Sequence, residues 1–215
     1  MDVRTVFFDF DCVVIDSEPV HAKAKKLVLE RYNIPYPATL FDEYKGRTDK
    51  VFFDFISKEL DPLKRPTEIL YDSKRIIFEE IINELTLIDG FLSFYQKVKD
   101  KGIATALVSS TSLYSLGLVD RHFSISGMFD LVITEADTLR HKPEPDPYLR
   151  ALEILPANTA TTIVIEDSPN GIISAKKAGC FVYALTSSFS GGILAEAGAD
   201  EVVRSYDELI YKLGF

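Results

Sequence analysis

An α/β protein is predicted: a parallel sheet core with helices on both faces, interrupted after its first strand by a helical insert. Three observations lead there. The apolar run Val6-Phe7-Phe8 ends in two carboxylates, Asp9 and Asp11. From residue 89 onward, short apolar runs alternate with segments of helical periodicity, which is the pattern of βαβ units. Between residues 18 and 86 only helical spacing is found.

The elements follow in order. Residues 6–8 read as a strand buried on both faces, because the run is short, continuous and apolar. In the insert, residues 20–32 form a helical pattern rich in Lys and Ala. Residues 50–60 set Val51, Phe52, Phe55 and Ile56 on one side, and residues 67–85 carry Leu70, Ile77, Phe78 and Ile81. The connections of the insert, near 16–17 and 87–89, are expected side by side, an arrangement that makes a hinge. A helical lid there could close over the strand ends and exclude water. The core is therefore expected over residues 1–16 and 88–215, and the cap over 17–87. Residues 91–101 read as a helix stopped by Gly102. Residues 103–108 read as a strand, broken by Ser109-Ser110-Thr111-Ser112. A helix at 113–121, a strand at 131–134 and a helix at 147–155, with Pro147 in its first turn, come next. A strand at 162–165 ends at Glu166-Asp167, and a helix at 170–178 is closed by Gly179. A strand at 181–185 and weaker units near 201–203 and 206–213 complete a Rossmann-like core.

Composition narrows the classes of function. With 215 residues and 47% apolar content, a sizeable core is possible. The net charge of −9 argues against a nucleic-acid partner, although local donors can still bind an anionic substrate. Cys12 and Cys180 are far apart and belong to no metal-ligand spacing, so neither a disulfide nor a zinc site is expected. The start, Met1-Asp2-Val3-Arg4, lacks the order of a secretory signal. No apolar run approaches the roughly 20 residues that span a bilayer. A cytoplasmic protein without membrane partners is expected. Phe52, Phe53 and Phe55 are expected to pack inside the cap rather than against a second copy, which favours a monomer; oligomeric state is otherwise not encoded legibly.

Four features fall where the predicted strands end: Asp9 with Asp11, Ser109, Lys142, and Glu166 with Asp167. Ligands of open α/β sheets bind outside those ends. Singly, each has a structural explanation: a solvated acidic turn, a helix cap, a lysine in a proline-rich turn, acids at a helix start. Together they suit phosphoryl transfer. Asp9 would be the nucleophile that becomes an aspartyl-phosphate. Asp11 would protonate the leaving alkoxide and then deprotonate water. Two close carboxylates ionise together most easily beside a cation, and oxygen ligands favour Mg²⁺. Asp9, Asp11 and Asp167 would hold it, with Glu166 supporting. Ser109 and neighbouring backbone N–H groups would donate to phosphate oxygens, and Lys142 would neutralise charge.

The run from Asp9 to Glu18 resembles the first motif of the haloacid dehalogenase-like hydrolases. Val108-Ser109-Ser110 is similar to their second motif, Lys142-Pro143-Glu144-Pro145-Asp146 to their third, and Ile165-Glu166-Asp167-Ser168 to their fourth. The resemblance spans essentially the whole chain, and it lies nearest the branch of β-phosphoglucomutase and related sugar-phosphate phosphatases. It implies a small α-helical cap after the first motif, Mg²⁺ as cofactor, and a metal bond from the backbone carbonyl of Asp11. It also implies that His21 and Arg47 of the cap, and Ser110 beside Ser109, contact substrate. For His21 and Arg47 a solvated surface position is the alternative. Two departures stand out: Cys12 replaces the usual Gly, and Asp89-Gly90 stands where Pro-Gly is common.

The expected function is a Mg²⁺-dependent phosphatase of a small phosphorylated metabolite, with a sugar phosphate one such substrate. A phosphosugar mutase is the alternative. Mutases of this branch carry Lys and Asn where this chain has Ser112 and Leu113, and Thr where it has Ser17; both differences favour hydrolysis. A non-catalytic binding protein on the same fold is a third reading, supported only by Cys12. Hydrolysis of a carbon–halogen bond is disfavoured, because those relatives lack an acid at the place of Asp11.

Overall fold

A computed structural model describes residues 2–44 and 48–215. The chain divides into two compact units, Met1–Asp16 with Thr86–Phe215, and Ser17–Leu85.

In chain order, strand β1 (Thr5–Phe8) and β2 (Ile15–Asp16) precede the helical unit. That unit holds α1 (Glu18–Arg31), α2 (Leu40–Glu43), α3 (Asp49–Phe55) and α4 (Thr67–Glu80). Then come β3 (Thr86–Leu87), α5 (Phe91–Asp100), β4 (Ala104–Val108), α6 (Leu113–Phe123) and β5 (Leu131–Ile133). The chain finishes with α7 (Asp146–Ile154), β6 (Thr162–Glu166), α8 (Pro169–Lys177), β7 (Phe181–Leu185), α9 (Gly191–Glu196), β8 (Glu201–Val203) and α10 (Tyr206–Leu213).

Six strands form one sheet in the order β5-β4-β1-β6-β7-β8, and every pairing in it is parallel. The expected α/β class is what the chain adopts. β1 lies in the middle, and all four of its residues are buried. Successive side chains of a strand point to opposite faces. Phe7 accordingly joins Val164, Ala106, Tyr148 of α7 and Ile172 of α8 on one face. Phe8 takes the other face, edge-on to Phe91 and Phe94 of α5. Phe94 in turn packs on Tyr206 of α10. Two faces each covered by helices explain why the strand is apolar at every position rather than at alternate ones.

Register sets up the chemistry. Phe8 stands opposite Leu107 on one side and Ile165 on the other. The residues just beyond β1, β4 and β6 therefore emerge at one level, and Asp9 N still donates to the Ile165 carbonyl at 3.0 Å.

In the helical unit, α1 packs along α4. Val20, Ala24, Val28 and Leu29 of α1 are buried, as are Leu70, Ile77 and Phe78 of α4 and Phe52 and Phe53 of α3. α3 runs on into a wider helical turn over Ile56–Leu60. The long helix expected to 85 ends at Glu80, and a separate short turn, Ile82–Glu84, follows it. Two features escaped the sequence. α2 has four residues, too few for a period of 3.6 to register. The ribbon of β2 with β3 pairs only Ile15 with Leu87 and Asp16 with Thr86. Among the described residues, no helix is long and apolar enough to cross a membrane.

Candidate active site

The loop after β1 is a tight fold over Phe10. Both Val14 N and Ile15 N donate to the Phe10 carbonyl, and Cys12 N donates to the Ile15 carbonyl at 2.6 Å. Closing so small a loop puts Cys12 in the left-handed region, at φ 58°. A side chain there costs about 1–2 kcal/mol, which is why glycine is favoured at such positions. The loop keeps the conformation with a cysteine, and its carbonyls are tied down. Ser187 Oγ donates to the Cys12 carbonyl at 2.5 Å, and the buried Tyr206 hydroxyl donates to that of Val13 at 2.8 Å.

Lys142 arrives on the segment between β5 and α7. Its ammonium donates to Asp9 Oδ1 at 2.5 Å, to Glu166 Oε1 at 2.7 Å and to the Val108 carbonyl at 2.9 Å. Its side chain is 5% exposed and that of Asp9 13%, so this pair is screened little by solvent. The Lys142 Nζ also lies 4.8 Å from the Tyr148 ring centre.

Glu166, at the last position of β6, has its carboxylate saturated. Besides Lys142, the Tyr148 hydroxyl donates to Oε1 at 2.9 Å. Asp167 N, Ser168 N and Ser168 Oγ donate to Oε2 at 3.0, 3.2 and 3.1 Å. The local sequence Glu-Asp-Ser-Pro-Asn-Gly accounts for this. Ser168 caps α8 by accepting from Gly171 N, and Pro169 opens the helix. Gly171 makes the space, since a Cβ there would lie 1.7 Å from Glu166 Oε1. Asp167 accepts a hydrogen bond from Ser188 Oγ.

Carboxylate oxygens of Asp9, Glu166 and Asp167 lie within 4.8 Å of one another. Three carboxylates thus gather around one ammonium. Burial first, then Glu166 and Asp11, push the Asp9 carboxyl up to about 7, against the opposing pull of Lys142. Burial, then Glu166 and Asp9, push Asp167 well above the usual carboxylate range. Burial also works against the Lys142 ammonium, but Asp9 and Glu166 outweigh it and hold its pKa well above the lysine value. Acids driven toward protonation mark a place short of positive charge. An all-oxygen donor set of this kind fits Mg²⁺. With the Glu166 oxygens engaged by five donors, Asp9 and Asp167 are the side chains placed to bind directly.

Ser109 follows β4 and is buried; its N–H donates to the Ile133 carbonyl at 2.9 Å. Its hydroxyl accepts from Thr111 N at 2.9 Å, which leaves the hydroxyl proton to donate. Thr111 Oγ1 donates to Asp11 Oδ2 at 2.7 Å. Ser110 is exposed. His21 lies on α1 of the helical unit, its Nδ1 2.9 Å from Lys74 Nζ and its ring stacked on Phe78. Lys74 also pairs with Asp49 at 2.6 Å, and Lys25 reaches the same carboxylate at 3.2 Å. The candidate Arg47 lies outside the described residues.

Sequence reasoning missed Tyr148, Thr111, Ser187, Ser188 and Tyr206. Tyr148 and Tyr206 sit at apolar periodic positions of their helices, so only their hydroxyls distinguish them from core residues. Ser187 and Ser188 follow a strand that had no candidate attached to its end; its being the fifth strand to reach the same edge was the available signal.

Comparison with known proteins bears on the reading. The sequence profile of the haloacid dehalogenase-like hydrolases matches residues 6–185. A phosphorylated carbohydrates phosphatase of Thermotoga maritima is 30% identical over 207 residues, covering 94% of each chain. A β-phosphoglucomutase of Bacillus subtilis is 26% identical, covering 98% of this chain and 93% of that one. Among solved structures, one from Thermotoga maritima, provisionally assigned as a β-phosphoglucomutase, superposes with a TM-score of 0.84 at 28% identity over 99% of both chains.

Proposed function

The chain belongs to the haloacid dehalogenase-like hydrolases, and we propose that it is a Mg²⁺-dependent phosphatase of small phosphorylated metabolites, sugar phosphates foremost, acting through a phosphorylated Asp9. It is a phosphoric monoester hydrolase. The observation that carries the reading is the cluster of Asp9, Lys142, Glu166 and Asp167 at the ends of the central strands.

The roles follow from the contacts. Lys142 fixes the rotation of the Asp9 carboxylate by holding Oδ1, and brings a positive charge to where phosphate oxygens would lie. Ser109 donates its hydroxyl proton to one of those oxygens. Asp9 attacks phosphorus as the bond to the leaving oxygen breaks, and Asp11 gives that oxygen its proton. Asp11, now ionised, takes a proton from water; the water oxygen attacks the aspartyl-phosphate and the Asp9 carboxylate is released. Glu166 keeps Lys142 and the backbone of Asp167 and Ser168 in place. Asp9, Asp167 and the Asp11 carbonyl would hold Mg²⁺, which would neutralise charge between nucleophile and phosphate. The sugar-phosphate preference is supported by the Thermotoga maritima relative.

A mutase reading is favoured by the Bacillus subtilis relative. Against it, the Ser112 hydroxyl is engaged in capping α6, accepting from Ser115 N at 3.1 Å, and Leu113 is exposed. Neither offers a charge to a second phosphate.

Purified protein with Mg²⁺ is expected to release p-nitrophenol from p-nitrophenyl phosphate, and EDTA to stop it. Asp9→Asn is expected to lower kcat at least about 1,000-fold. Turnover by Asp9→Asn at the wild-type rate would remove the nucleophile. A panel of sugar phosphates then ranks substrates, and formation of glucose 6-phosphate from β-glucose 1-phosphate would establish the mutase instead.

A further inference from the structure

Two adjacent serines in the turn after β7 reach two different parts of the acidic cluster. Ser187 Oγ donates to the Cys12 carbonyl at 2.5 Å, in the loop that follows Asp9, and Ser188 Oγ donates to Asp167 Oδ2. Five donors fix the Glu166 carboxylate, whereas among the described residues one, Ser188, donates to that of Asp167. The turn that carries Ser188 is itself anchored. Glu166 stands opposite Ala184 in the sheet, so β7 delivers the turn beside Asp167. Thr186 N donates to the Val203 carbonyl at 3.0 Å, and Leu194 N of α9 donates to the Ser190 carbonyl at 3.2 Å. Between them Phe189 packs against the apolar core. The hydroxyl of residue 188 is thus presented from backbone held on both sides.

We infer that Ser188 is a positioning residue for the cation site, fixing the rotation of the Asp167 carboxylate so that it faces the space it shares with Asp9. The inference rests on the Mg²⁺ dependence proposed above. Mg²⁺ demands near-ideal octahedral geometry with oxygens at about 2.0–2.1 Å, so a carboxylate free to turn must be ordered when the cation arrives. A hydrogen bond to that carboxylate does the ordering beforehand. A carboxylate has about four lone-pair positions, and one hydrogen bond leaves room for a metal bond. Turning the carboxylate about its Cβ–Cγ bond breaks the contact with Ser188. Asp9 is restrained in a similar way by Lys142 at Oδ1. The two restraints differ in charge: the lysine offsets one acid, while the neutral serine orients Asp167 and leaves its full negative charge for the cation.

Calorimetric titration of the full chain with MgCl₂ at a fixed pH reads this without any turnover. Ser188→Ala is expected to raise the Kd for Mg²⁺ about ten-fold or more, the scale seen when the hydrogen-bond partner of a metal ligand is removed. Its melting midpoint in EDTA is expected to stay within about 4 °C of the wild type, because Ser188 is half-buried and makes one such bond. Ser188→Thr, which keeps the hydroxyl, is expected to recover most of the affinity. An unchanged Kd in the alanine variant would overturn the inference and leave the metal assignment standing. A threonine variant that binds as weakly as alanine would overturn it as well. So would a weakened Kd accompanied by a larger fall in the EDTA midpoint, since Ser188 would then be supporting the fold. Wild-type protein that takes up no Mg²⁺ would overturn the inference together with the metal assignment beneath it.

Discussion

At the scale of single residues, Asp9 carries the clearest conflict between stability and chemistry. Its neighbours include Glu166 and Asp11, and burial adds to their effect, so its carboxyl rises from 3.8 to about 7 without a cation. A raised acid keeps its proton in the native chain at pH values where the unfolded chain has released it. The stability this group confers is therefore complete below about pH 4 and is lost as the pH climbs through about 7. The gap corresponds to at most ~4 kcal/mol. Asp9→Asn removes a charge that the metal-free site does not tolerate. In EDTA near pH 8 the variant is expected to melt above the parent, with the difference shrinking as the pH falls toward about 4. Thermal melts across that range check it; a variant less stable than the parent at the upper end would mean that Lys142 depends on the Asp9 charge more than Asp9 suffers from its surroundings. Cys12 shows the same trade in backbone form, a left-handed cysteine kept where the loop must close.

At the scale of elements, the fourth motif is one continuous device. β6 delivers Glu166, Ser168 caps α8, and Gly171 in the first turn of that helix leaves room for the carboxylate. The helix, not the strand, thus decides where Glu166 points. Gly171→Ala would put a methyl carbon 1.7 Å from Glu166 Oε1, a distance no side-chain adjustment inside a fully buried site relieves. The change is expected to cost about 3 kcal/mol through overpacking and to displace Glu166, with activity falling about 100-fold or more. Circular dichroism melts and turnover of p-nitrophenyl phosphate measure the two effects. A comparable helix of this core, α7, contributes through one hydroxyl: Tyr148, packed on Phe7, donates to Glu166 from the apolar face.

At the scale of the whole molecule, binding of Mg²⁺ would be linked to folding, because the acids that suit it are drawn together by the sheet from distant parts of the chain. Saturating Mg²⁺ is expected to raise the melting temperature, by an amount set by about 2.7 kcal/mol at a hundred times the dissociation constant. Asp167→Ala is expected to abolish that rise, while Ser110→Ala, at an exposed position, is expected to keep it. Melts with and without the metal make the comparison. The sheet was legible from residue types alone because β1, β4, β6 and β7 are apolar at nearly every position, and only strands covered on both sides need that. The candidates were legible because Asp9, Ser109, Lys142 and Glu166 each stand just past or at the end of such a run, or in the segment after it. The hydroxyls of Tyr148, Thr111, Ser188 and Tyr206 were not, since a tyrosine in a helical stripe and a serine after a strand look the same whether or not they hold a carboxylate or a loop carbonyl. Short pairings such as Ile15 with Leu87 were equally silent, having no period to detect. The sequence by itself determined the fold class, the order of the strands' contents and the acids and base available, because those depend on local patterns of burial and on residue chemistry. Which oxygens of Asp9 and Asp11 are occupied, and by which donor, was decided only by tertiary structure, because the contacts from Lys142 and Thr111 join residues a hundred or more positions apart through the register of a parallel sheet.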